Sequence, residues 1–178
     1  MSGRAAVLFD RDGTLMEEAH YCGDPAKVRV YPGVPSALRA LKQAGFLNLI
    51  VSNQSGIGRG LITEAQYHAV QKELLRQIGE DLIEASYFCP DAPGAPSTRR
   101  KPAPGMVLEA AAQFGIDLGQ SNVVGDKAAD IECARRAGAG AILVLTGYGR
   151  LQECAPDFAA DDAPAAADWI LRQRHLLT

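Results

Sequence analysis

Apolar positions along the chain alternate between two periods. Ala5-Ala6-Val7-Leu8-Phe9 is a short unbroken apolar run, the pattern of a strand buried on both faces, and Gly13-Thr14 marks the tight turn after it. Residues 16–30 hold no steady period and predict a loop over the carboxyl end of that strand. Val34, Leu38 and Leu41 recur at helical spacing, which predicts a helix over 34–44 with Gly45 as its stop. Leu47 to Ser52 reads as a second buried strand, and strand, helix, strand in that order predicts a right-handed crossover and a parallel pair. Asn53 to Gly60 is polar and glycine-rich, a loop whose backbone amides can come close to a bound group. Thr63 and Gln66 form a capping box for a helix through about Ile78, with Ala69, Val70, Leu74, Leu75 and Ile78 as its inner face.

The same alternation continues toward the carboxyl end. A third strand is predicted at Ala85 to Cys89, and the proline-rich stretch from Pro90 to Pro104 is an excursion of the chain. Gly105 to Phe114 and Lys127 to Ala137 are predicted helices with Gly115 and Gly138 as stops. Strands are expected at 121–126, at 141–145 and, as a short sixth, at Ala167 to Leu171, with 157–166 as a surface connection. Strands alternating with helices predict an α/β fold, a doubly wound and mostly parallel sheet with helices on both faces, in one domain spanning 1–178.

A chain of 178 residues is long enough for one well-buried α/β core and short for two. With a net charge of −3, it offers no electrostatic reason to expect a nucleic-acid partner, and any anion site must be a local cluster. No long apolar run or secretory leader is evident, so the reading is cytoplasmic, with no membrane partner. Cys22, Cys89, Cys133 and Cys154 lack paired spacing and are expected to be free thiols.

In such a sheet, ligands bind at the carboxyl ends of the strands, and four segments deliver polar groups there: Asp10 with Asp12, Ser52, Lys101, and Asp126 with Asp130. Two carboxylates as close as Asp10 and Asp12 need a cation or a proton to settle their charge. The order acid pair, hydroxyl, lysine, acid pair resembles the haloacid dehalogenase superfamily of phosphohydrolases. Its first motif stands as Asp10-Arg11-Asp12-Gly13-Thr14, its second as Ser52, its third as Lys101 and its fourth as Gly125-Asp126 through Asp130.

That resemblance implies Asp10 as a nucleophile forming an acyl phosphate and Asp12 as the acid and base that serves the departing alkoxide and the incoming water. It implies Mg²⁺ held by the Asp10 carboxylate, the Asp12 backbone carbonyl and Asp126. Lys101 is then the charge facing the phosphoryl oxygens, with the Ser52 hydroxyl and the Asn53 amide as donors. Asp130 is an orienting partner rather than a direct ligand.

Within the superfamily, the stretches Ser52-Asn53-Gln54-Ser55-Gly56-Ile57-Gly58-Arg59-Gly60 and Arg100-Lys101-Pro102-Ala103-Pro104-Gly105-Met106 resemble the heptose-1,7-bisphosphate phosphatases, with the histidinol-phosphate phosphatases as near relatives. The resemblance covers residues 5 to about 150. It implies removal of the 7-phosphate of D-glycero-D-manno-heptose 1,7-bisphosphate on the route to lipopolysaccharide heptose. The zinc loop found in many members is altered: the matching positions are Cys89, Asp91, Ser97 and Arg99, which do not make the closed nitrogen and sulfur site that zinc prefers, so no zinc is expected.

The gaps between motifs leave no room for a cap domain, which puts specificity on short loops. The candidates are Glu18, Ala19, His20 and Tyr21 after the first motif, Asn53, Gln54, Ser55 and Arg59 after the second, and Arg100 and Lys127 for a second phosphate or for hydroxyls. A monomer acting on a small sugar phosphate is the expected form. Two rivals stay open: a histidinol-phosphate or general sugar-phosphate phosphatase, and a receiver-type signalling module, which also gathers acids, a hydroxyl and a lysine at a parallel sheet edge.

Overall fold

The computed structural model describes residues 3–176. Six strands, β1 (Ala6–Phe9), β2 (Leu47–Asn53), β3 (Ala85–Cys89), β4 (Asn122–Gly125), β5 (Gly140–Val144) and β6 (Phe158–Ala160), form one all-parallel sheet in the order β3-β2-β1-β4-β5-β6. The helices are α1 (Val34–Gln43), α2 (Ser55–Gly58), α3 (Glu64–Ile78), α4 (Gly105–Phe114), α5 (Ala128–Ala137) and α6 (Ala163–Leu176). Because successive strand residues face opposite sides, β1 supplies Val7 and Phe9 to one core and Ala6 and Leu8 to the other. The first core packs against α1, α3 and α6 through Leu38, Leu41, Val70, Leu74, Ala166 and Ile170. The second packs against α4 and α5 through Met106, Val107, Ala110, Ile131 and Ala134. The doubly wound expectation therefore holds, and no inserted domain covers the sheet edge among the described residues.

Several local expectations also hold. Thr63 Oγ1 accepts from Gln66 N while Gln66 Oε1 accepts from Thr63 N, closing the capping box of α3. Gly115 and Gly138 end α4 and α5 in the left-handed conformation, with φ of 63° and 80°.

The sixth strand lies elsewhere than expected. Residues 167–171 belong to α6, whose Ala163, Ala166, Ala167 and Ile170 bury one helical stripe, while β6 falls inside the segment read as a surface connection. Trp169-Ile170-Leu171 is a run too short for periodicity to separate strand from helix. What makes β6 a strand is tertiary: Asp157 N donates to the Ala141 carbonyl, Asp157 Oδ2 accepts from Ala141 N, and Phe158 stacks on Trp169 with centroids 4.8 Å apart.

Two smaller corrections follow. On α3, Tyr67 and Gln71 join Val70, Leu74 and Ile78 in the core, whereas Ala69 is exposed. The glycine-rich segment after β2 is not wholly loop but carries the single helical turn α2, where a Cβ on Gly58 would come within 2.5 Å of the Pro90 carbonyl oxygen.

Candidate active site

Strand order reverses at β1, which has β2 on one side and β4 on the other. A crevice opens at such a switch point, at the carboxyl ends of the strands. Phe9 pairs with Val124, so Asp10 and Asp126 leave the sheet side by side, and Asp10 N donates to the Val124 carbonyl at 2.8 Å. Phe9 also pairs with Ile50, which brings Ser52 to the same edge.

Lys101 arrives from the proline-rich excursion and is almost wholly buried. Its Nζ donates to Asp10 Oδ1 at 2.9 Å and to the Val51 carbonyl at 2.7 Å, and lies 2.6 Å from Asp130 Oδ1. Asn53 fixes the lysine's backbone from both sides, Nδ2 donating to the Lys101 carbonyl and Oδ1 accepting from Lys101 N, each at 2.9 Å. Asp130 Oδ2 accepts from Lys127 N at 3.0 Å, so both of its oxygens are engaged. A Cβ on Gly125 would lie 2.2 Å from Asp130, which is why the bare backbone is needed there.

Asp10, Asp126 and Asp130 each bring an oxygen within 4.8 Å of the others. Burial pushes the Asp10 carboxyl up, but Lys101 and Lys127 outweigh it and hold the group below its ordinary value. Burial and the neighbouring Asp10 charge push Asp126 up to about 8. Burial alone would lower Lys101, yet Asp10 and Asp130 hold it above its ordinary value, so it stays an ammonium.

The residues fit a divalent cation. Asp126 Oδ2 accepts from Tyr148 N at 2.9 Å, while Asp126 Oδ1 is buried without a protein partner. Glycines 13 and 147 face this carboxylate so closely that a Cβ on either would come within 2.3 Å and 2.2 Å of Oδ2. An orphaned carboxylate oxygen in a cluster whose candidate ligands are carboxylates suits a hard ion such as Mg²⁺.

A small niche is lined by Asp10, Asp12, Asn53, Lys101, Lys127, Ala129 and Asp130. It shares Asp12, Asn53 and Lys127 with an open cavity of about 180 Å³. Of the specificity candidates, Glu18, His20, Tyr21, Asn53, Gln54, Ser55 and Lys127 line that cavity. Ala19, Arg59 and Arg100 line neither space; Arg59 lies 5.8 Å over the Tyr21 ring, and Arg100 Nη1 donates to the Asp91 carbonyl at 3.0 Å. His20 and Tyr21 hold φ of 43° and 52°, a conformation costly for residues with a Cβ. The Glu18 carboxylate helps to hold it by accepting from His20 N.

Sequence reasoning missed Cys22 and Tyr148 in the cavity wall. Tyr148 lies at the carboxyl end of β5, the same edge as every other site residue, and that position was the available signal. Its hydroxyl lies 3.4 Å from His20 Nδ1, and Lys127 Nζ sits 5.0 Å over its ring. At the altered zinc positions, the Cys89 thiol donates to Asp91 Oδ2 at 3.3 Å, Ser97 Oγ accepts from Arg99 N and Arg100 N, and Arg99 pairs with Glu109 at 2.8 Å.

Fold and site together define a hydrolase of the haloacid dehalogenase type, with an acid pair, a hydroxyl, a lysine and a further acid pair around one crevice. A model of the HAD-hydrolase-like family matches residues 98–166. The D-glycero-D-manno-heptose-1,7-bisphosphate 7-phosphatase of Thermosynechococcus vestitus is 39% identical, over 94% of this chain and 95% of its own. The D-glycero-beta-D-manno-heptose-1,7-bisphosphate 7-phosphatase of Escherichia coli K12 is 35% identical, over 93% of this chain and 87% of its own. The crystal structure of D,D-heptose 1,7-bisphosphate phosphatase from B. bronchiseptica, complexed with magnesium and phosphate, matches with a TM-score of 0.88 at 29% identity, covering 95% of this chain and 99% of that one. The chain belongs to the heptose-1,7-bisphosphate 7-phosphatase family of haloacid dehalogenase-like hydrolases.

Proposed function

We propose that the protein removes the 7-phosphate of D-glycero-D-manno-heptose 1,7-bisphosphate, supplying lipopolysaccharide heptose. The observation that carries this reading is the position of Lys101 Nζ, 2.9 Å from Asp10 Oδ1, at a sheet edge where Asp126 also keeps a buried oxygen without a partner. An anionic nucleophile can approach an anionic ester only where such positive charge is fixed in place. Asp10, the Asp12 carbonyl and Asp126 would hold Mg²⁺, which when bound supplies charge neutralisation at the phosphoryl oxygens.

Asp10 forms a bond to phosphorus as the ester P–O bond breaks, and the departing oxygen takes a proton from the Asp12 carboxyl group. Water then attacks the acyl phosphate, gives a proton to the Asp12 carboxylate and releases phosphate from Asp10, which restores both groups. The buried Ser52 hydroxyl and Lys101 hold the transferring group. The cavity beyond, rimmed by Glu18, His20, Tyr21, Ser55 and Lys127, takes the sugar and its second phosphate.

In this reading, residues 1–178 are one hydrolase domain, monomeric and cytoplasmic, with no nucleic-acid or membrane partner. Among the described residues, no helix is long and apolar enough to cross a membrane. No zinc is required, because the altered loop closes on its own hydrogen bonds through Cys89, Asp91 and Ser97. The test is a panel of phosphate esters assayed with Mg²⁺ on protein whose metal content and solution mass are measured. The expected result is preferential turnover of the heptose bisphosphate by a zinc-free monomer. Higher kcat/KM on histidinol phosphate, or stoichiometric zinc, would overturn the corresponding part.

The pH dependence of stability follows from Asp126. Its folded value of about 8 lies above the ordinary 3.8, so the metal-free fold binds the extra proton and loses stability as pH rises between those values. A divalent ion relieves the same repulsion. Thermal melts should show Mg²⁺ raising Tm more at alkaline pH than under mildly acidic conditions, and an equal shift at both would count against Asp126 as a ligand.

A further inference from the structure

Asp12 does not stand free beside Asp10. Arg11 Nε donates to its Oδ2 at 3.0 Å and Arg11 Nη2 to its Oδ1 at 3.2 Å, a fork that grips both oxygens. Gln54 Nε2 adds a second donor to Oδ2 at 2.9 Å. The Gln54 amide is itself fully engaged, with Nε2 also donating to Ser52 Oγ at 2.7 Å and Oε1 accepting from Arg11 Nη2 at 3.1 Å. Arg11 is 0% exposed, and its guanidinium lies 5.2 Å over the Tyr67 ring.

Burying a guanidinium so completely strips it of its hydration, and a fold retains it only where its geometry is used or its charge is matched. Asp12 is its only carboxylate partner among the described residues. A planar fork fixes the plane of a carboxylate as a lysine cannot. The two oxygens are left unequal: Oδ2 takes two donors, whereas Oδ1 takes only Nη2 and keeps a lone pair free. Ser52 Oγ, accepting from Gln54, keeps its own hydrogen free for a phosphoryl oxygen.

We propose that Arg11 and Gln54 are positioning residues that clamp the Asp12 carboxyl so that Oδ1 carries the proton given to the departing oxygen. The assignment rests on the reading of Asp12 as general acid and base. It also places Gln54 in the service of the chemistry, although it lines the sugar cavity. In the step concerned, the phosphorus–oxygen electron pair goes to the departing alkoxide, and the O–H bond at Asp12 breaks as the new one forms.

The test compares kcat/KM, which reports the steps through loss of the first leaving group, on two esters with Mg²⁺ present. The departing 4-nitrophenolate of 4-nitrophenyl phosphate needs no proton, whereas the alkoxide of a primary sugar phosphate does. Gln54→Met is expected to lose about 30-fold to 100-fold on the sugar phosphate and at least about tenfold less on the aryl ester, while its dissociation constant for the sugar phosphate stays within about threefold of the parent's, which a lost sugar contact would not allow; Arg11→Met should follow the same pattern more strongly. Equal losses on both esters would reduce the clamp to a structural contact and overturn the proposal. Asp12→Asn separates the two levels. If it shows the selective loss while Gln54→Met and Arg11→Met do not, only the clamp fails; if it too loses equally on both esters, the acid role of Asp12 fails first. Should Arg11→Met not fold, Gln54→Met decides alone.

Discussion

Asp10→Asn is expected to abolish turnover, with kcat falling by at least about 10⁴-fold, as happens when a covalent nucleophile is removed. The fold should survive the change. Lys101 keeps its contact with Asp130 at 2.6 Å and with the Val51 carbonyl, so no ammonium is stranded in the interior. Loss of the Asp10 charge also removes the larger of the two neighbouring charges that, with burial, push Asp126 up, so the variant should lose less stability toward alkaline pH than the parent. Labelled phosphate should be trapped on the parent by acid quench and absent from the variant. Turnover by Asp10→Asn at the parent rate would remove Asp10 from the mechanism.

Lys101→Met should cost less activity than Asp10→Asn and far more of the fold. The side chain lies between Asp10 and Asp130 in a wholly buried site, and its removal leaves two carboxylates facing each other with no ammonium between them. Breaking a buried ion pair from one side costs about 3–5 kcal/mol, because the remaining charge stays desolvated. Loss of a preorganised charge at the phosphoryl group adds about 10²-fold to 10³-fold in kcat. The pH dependence has a definite sign. Without the lysine, the folded carboxyls sit above their unfolded values, so the variant's stability is present at low pH and is lost as pH rises. Urea melts across pH check this, and a variant as stable as the parent near neutrality would show that Lys101 does not neutralise the pair.

The residues that read clearly from the chain are those whose signal is local. The apolar run before Asp10, the Thr63 and Gln66 capping box, and the glycine stops at 115 and 138 each specify their element within a few positions, and each stands in the structure as expected. The motif residues were legible for a related reason: strands of a parallel sheet end at one edge, so groups that follow strands meet there. The β6 and α6 boundary failed because Ala-rich and short apolar segments carry no period of their own. Arg59 and Arg100 were selected for charge and proximity in sequence, and charge does not determine direction; one side chain rests over Tyr21 and the other reaches back to Asp91.

Alone, the sequence determined the doubly wound class, the family, and which acids, hydroxyl and lysine converge, because periodicity and motif order are one-dimensional properties that backbone geometry converts directly into placement. Tertiary structure decided how those groups are shared: that Asn53 holds the backbone of Lys101, that Asp130 is spent on Lys101 and Lys127, that Tyr148 closes the cavity, and that Arg11 and Gln54 grip Asp12. These are choices of hydrogen-bond partner made inside a buried crevice. There each donor must find an acceptor, and most of the partners lie tens of residues away along the chain.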